Sequence, residues 1–153
     1  MTTFSGSTFF GLDELHLIAR GIGKQMYELI TVANLPAGQD SIFYYTDSNG
    51  NKNKEDYPFF VSKKNLKVIG DNITIFRKFI PTSFQGSFDN VFSKIDGTRA
   101  VDWLDILLYI VPTIVVPYLP NTEVKNAVLS LVKGCALALQ WTLTEDLITE
   151  MDE

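Results

Sequence analysis

Residues 97–140, GTRAVDWLDILLYIVPTIVVPYLPNTEVKNAVLSLVKGCALALQ, hold the densest apolar run of the chain and its clearest helix punctuation. Gly97 closes what precedes, and Thr98 is placed to cap a central helix with Asp102 in or just past its first turn. Val101, Leu104, Leu107, Leu108, Val111, Val115 and Leu119 recur at helical spacing, so this helix must present a broad apolar face. Pro112 removes a backbone donor inside it and predicts a bend. Pro120 and Asn121 read as a stop and restart. The next helix carries Val124, Ala127, Val128, Leu131, Val132, Cys135, Leu137, Ala138 and Trp141 on more than one side, which predicts that neighbours enclose it. Gly134 and Ala136 are expected to let one of them come close.

Working outward, 153 residues suffice for one domain with its own core, and 46% hydrophobic with 20% charged residues is a globular balance. The expected architecture is mainly α, an irregular helical bundle over 1–153 with one short β-hairpin or long loop near 40–64. Residues 1–11 read as an arm. Leu12, Leu15, Ala19, Ile22, Met26, Leu29 and Ala33 step by three and four, the stripe of an amphipathic helix, with Gly21 and Gly23 marking a close backbone approach or a break into two shorter helices. Ile42–Thr46 and Tyr57–Val61 are β-prone runs around the polar segment 47–56. Leu66, Ile69, Ile73, Phe76 and Ile80 predict a helix ending before Pro81, and Phe84, Phe88, Val91, Phe92 and Ile95 a short one closed by Gly97. Thr142 and Glu145 match a capping box opening a terminal helix with Leu147, Ile148 and Met151 inward and a fraying acidic end over 145–153.

A net charge of −5 argues against non-specific nucleic-acid binding by the isolated chain, because phosphate contacts need clustered Lys and Arg. The most basic region carries Lys52, Lys54, Lys63 and Lys64, with Lys67 beyond. Those four are candidate nucleic-acid contacts, although Glu55 and Asp56 among them equally suit a solvated loop. The single cysteine, Cys135, excludes an internal disulfide and sits among small apolar residues, a mild preference for a reducing compartment. The N-terminus lacks the pattern of a secretory signal, so an intracellular location is expected. Residues 103–119 approach the length of a membrane span, but Asp105, Pro112 and Pro117 favour a core helix, and no membrane partner is expected.

Chemistry-bearing groups are few. His16 is the only histidine, and Asp13, three residues before it, shares its helix face. The pair suits either a divalent ion or a simple hydrogen bond. Asp102 and Asp105 flank Trp103 and can face one way; carboxylates hold Mg²⁺, but near a helix start the dipole alone accounts for them. Gly21-Ile-Gly23-Lys24 lacks the full phosphate-loop pattern and its preceding strand. Composition and spacing therefore describe a soluble helical domain and name no function.

Four segments resemble, in order, the C-terminal portion of CACTA-type, En/Spm-like transposases of fungi and plants. Leu12-Asp13-Glu14-Leu15-His16 with Ile22-Gly23-Lys24 is similar to that family's Asp-x-Met-His segment followed by Leu-Gly-Val-Val-Lys. Ile80-Pro81 matches its Ile-Pro. Arg99-Ala100-Val101-Asp102-Trp103 resembles Lys-Ala-x-Glu-Trp, and Leu107-Leu108-Tyr109 with Pro112 its Leu-Leu-Tyr-x-x-x-Pro continuation. The resemblance implies an RNase H-like enzyme of DNA recombination in which three acidic residues hold Mg²⁺. Asp13 and His16 then match the Asp-x-x-His motif, and Asp102 the place of a catalytic Glu, shortened by one methylene; Asp13 and Asp102 become the candidate metal ligands.

Nothing ahead of Leu12 supplies the strands bearing the first two acidic residues. The expectation is thus a transposase-derived helical fragment without independent catalysis. It would hold no cofactor alone, Mg²⁺ if a catalytic site is retained, and DNA only through a parent transposase. Its location would be nuclear if transposase-like and otherwise cytoplasmic. The alternatives are a stand-alone helical protein-interaction module, with a protein partner or self-association, and a small divalent-metal hydrolase using Asp13, His16, Asp102 and Asp105.

Overall fold

The computed structural model describes residues 15–34, 57–79, 90–93, 95–140, 142 and 144–152. These are mainly helical, as expected, and contain no strand. A π-helical segment, Leu15–Gly23, runs into α1 (Lys24–Thr31) and a 3₁₀ turn, Val32–Asn34. Helix α2 spans Lys63–Arg77. The central helix is continuous over Ala100–Tyr118 but changes winding twice: α3 (Ala100–Asp105), a π-helical stretch (Ile106–Val115) and a 3₁₀ turn (Val116–Tyr118). Helices α4 (Thr122–Ala138) and α5 (Glu145–Asp152) follow.

The central helix organises the core. Trp103, Ile106, Leu107, Ile110, Val111, Val115 and Val116 are buried along its length, and Ile18, Met26, Ile30, Ile69, Ile73, Val128 and Val132 from the other helices close over them. Its leading α3 lies against Leu15–Gly23, and its π-helical stretch meets α2 and α4. By length and composition it is apolar enough to cross a membrane. Pro112 acts through winding: it cannot donate, and the wider i→i+5 turn around it is one of the adjustments that accommodates a missing donor. The wide winding persists to the end of this stretch, where the Val116 N–H donates to Val111 O five residues back.

Two expected close approaches resolve differently. A Cβ on Gly23 would stand 2.6 Å from the backbone oxygen of Trp103, so the absent side chain lets the first helix and α3 touch backbone to backbone. Gly134, by contrast, has no atom within 4 Å of a Cβ position. Helix α4 is not enclosed: Val124, Val128, Val132 and Cys135 form one buried stripe, while Ala127 and Ala138 are exposed and Leu129 and Leu131 each remain 40% exposed.

The expected hairpin requires correction. Tyr57–Val61 is a turn, closed by the Phe60 N–H to Tyr57 O at 2.9 Å, that leads to Ser62, whose Oγ accepts from Asn65 N at 3.2 Å and caps α2. Side-chain anchoring outweighs β propensity there, because the Tyr57 hydroxyl donates to Leu29 O at 2.7 Å and Asn34 Nδ2 to Val61 O at 2.6 Å. The other expected strand, Ile42–Thr46, lies outside the described residues. Where described, the short helix expected before Gly97 is a pair of turns, Asn90–Ser93 and Ile95–Thr98. Gly97 itself takes φ +86°, the left-handed conformation glycine adopts freely. Thr98 does not cap α3; its hydroxyl donates back to Ile95 O at 2.7 Å, and Arg99 occupies the cap position. Helix α5 begins after Thr144, two residues later than the capping-box reading, and Ile148 is 50% exposed rather than inward.

Candidate functional site at the start of the central helix

The first turn of α3 is built around one ion pair. Asp102 is 7% exposed, in a helix packed on the π-helical segment Leu15–Gly23. Its Oδ2 accepts from the Arg99 backbone N–H at 2.9 Å and from Arg99 Nε at 3.0 Å, while Oδ1 accepts from Nη2 at 2.9 Å. The carboxylate therefore satisfies an orphan donor of the helix start and grips the guanidinium fork with both oxygens, the strong bidentate form of this contact. Trp103 beside it is buried, edge-on to Tyr27 at 5.5 Å, and Tyr27 in turn meets Phe92 at 5.5 Å.

Asp105 is half-buried one turn on. Burial pushes its carboxyl above the usual range and the nearby Asp102 charge adds to this, with Arg99 partly opposing. A cation approaching Asp102 meets the Arg99 guanidinium already in place, so metal capture there requires displacing a like charge from a formed pair.

His16 is exposed on the π-helical segment. Asp13, its expected partner, lies outside the described residues, as do Lys52 and Lys54. Among the described residues no three His, Cys, Asp or Glu side chains gather as a metal site. Lys63 and Lys64 are exposed in the first turn of α2. Cys135 is buried in α4, and burial raises its thiol pKa.

Sequence reasoning missed the partner of Asp102. The signal was there in the i, i+3 spacing of Arg99 and Asp102, but Thr98 is the better cap by residue type and drew the assignment. It also missed the outer face of α2, where Val68, Ile75 and Phe79 are exposed alongside Lys64, Lys67 and Lys78. Searched against protein families, curated proteins and solved structures, the chain matches none.

Proposed function

We propose that the chain is a helical protein-interaction module that works by binding and not by catalysis. The observation carrying this reading is apolar side chains left on outer helix faces: Val68, Ile75, Phe76 and Phe79 at α2, and Leu129 and Leu131 on α4. Large aliphatic and aromatic groups grouped on a surface are the usual mark of a docking site. The state of Asp102 supports the non-catalytic half, since a carboxylate whose two oxygens both hold Arg99 serves the helix start. The test is site-specific photo-crosslinking in the source cells from position 75 or 129, with Glu123 as the exposed control. Discrete protein adducts from 75 or 129 and none from 123 are expected; equal labelling from all three removes the proposal.

A second reading, descent from a CACTA-type transposase, is favoured by one contact. Gly23 and Trp103 belong to two separate segments that carry the resemblance, and they touch. In that reading the junction is what remains of a DNA strand-transfer enzyme, with Asp102 its acidic remnant and the nucleus its location. An upstream reading frame carrying two further acidic motifs supports descent, and its absence from the transcript removes it.

A further inference from the structure

The outer face of α2 carries opposite features to the chain as a whole. Lys63, Lys64, Lys67, Arg77 and Lys78 against the single acid Asp71 give residues 63–78 a charge of +4 within a protein of −5. At 100° per residue, Val68 and Ile75 share one outer line with Phe79 just past the helix end; they are 37%, 50% and 71% exposed. Spacings of seven and four are those of a seam that receives another helix. The lysines do not ring this seam: Lys64, Lys67 and Lys78 fall to one side of it by the same geometry, with Asp71 among them. A lipid surface favours an apolar face bordered by bases on both sides and free of acid. A one-sided basic flank instead matches a second helix lying alongside with its carboxylates on the facing edge.

The chain itself contains such a helix. Helix α5 holds Glu145, Asp146, Glu150 and Asp152 and no base, a charge of −4. Ile148 is 50% exposed, and within one chain α5 meets the end of α4. At 1.5 Å per residue the seam from Val68 to Phe79 runs about 16 Å and the eight residues of α5 about 12 Å, so one fits along the other.

We propose that the outer face of α2 receives α5 of a second copy of this chain, Ile148 entering the seam and Glu145, which borders Ile148 by helical spacing, facing Lys64 and Lys67. This rests on the reading of the chain as an interaction module and names one occupant for one of its faces. Exchanged reciprocally, two such contacts close a two-fold dimer. Sedimentation equilibrium over a concentration series tests it. A monomer–dimer equilibrium is expected in low salt, weakened about tenfold or more by Lys64→Glu with Lys67→Glu, and restored when that chain is mixed with one carrying Glu145→Lys. A monomer at every concentration, or a dimer indifferent to the charge reversal, overturns it. So does a wild-type chain that stays monomeric yet floats with phosphatidylserine vesicles. Crosslinking from position 129 to other proteins would still uphold the broader reading if this one failed.

Discussion

Replacing Gly23 by alanine isolates the contact on which the fold turns. Gly23 has helical backbone angles, φ −61° and ψ −44°, so the substitution is conformationally allowed. An added Cβ meets the Trp103 carbonyl oxygen at 2.6 Å, its carbon at 3.2 Å and the Trp103 Cβ at 3.3 Å. The obstacle is main chain of a neighbouring helix, which cannot swing aside as a side-chain tip does. The intrinsic helix gain of about 1 kcal/mol for glycine to alanine is set against an overpacking cost of about 1–3 kcal/mol, and the second is expected to win. Gly134→Ala is the matched control, because nothing lies within 4 Å of its Cβ position inside α4. It should gain about 0.4–1 kcal/mol. The two variants then differ by about 2 kcal/mol, or roughly 4–8 °C in melting temperature for a chain of this size. Differential scanning calorimetry reads this directly. A Gly23→Ala protein that melts at or above wild type would refute the backbone contact.

Three further outcomes follow from the same geometry. Asp102→Asn should destabilise by about 1–3 kcal/mol in urea unfolding, since it strips the charge from a buried pair and weakens a cap. Asp105 has a folded-state pKa above its unfolded value, so the folded chain holds the proton more tightly and stability falls as pH rises through that interval. Asp105→Asn should therefore raise the urea midpoint at pH 7, with the gain shrinking below the unfolded carboxylate pKa; an equal gain at pH 3 contradicts this. Burial pushes the Tyr57 hydroxyl up to about 12, so it should lose stability between pH 10 and 12, as ionisation ends its bond to Leu29 O. Tyr57→Phe should cost about 1 kcal/mol at pH 7 and flatten that alkaline loss, both visible in chemical denaturation.

Helices were legible where apolar periodicity is long and the core decides the outcome. Ile69, Ile73, Val111 and Val115 fall inside as their spacing requires. Anchoring is what spacing could not show. Tyr57–Val61 has the residue types of a strand, yet a hydroxyl and an amide bonded across 28 and 27 residues hold it as a turn. The π winding around Pro112 likewise depends on acceptors, which no apolar pattern encodes. At α4 the same letters fit an enclosed helix or a half-exposed one, because Leu129 and Leu131 do not reveal whether a neighbour is present. The acidic junction was found by sequence, but its meaning turned on Arg99: a carboxylate in isolation suggests a ligand, and the same carboxylate gripped by a guanidinium suggests a cap.

The central claim is that Asp102 serves structure and the chain acts by binding. Incubating the pure protein with supercoiled plasmid in 10 mM Mn²⁺, roughly the concentration that occupies a weak carboxylate site, measures this most directly. No nicking above the protein-free control is predicted for either wild type or Asp102→Asn; nicking by wild type that disappears in Asp102→Asn would contradict the account.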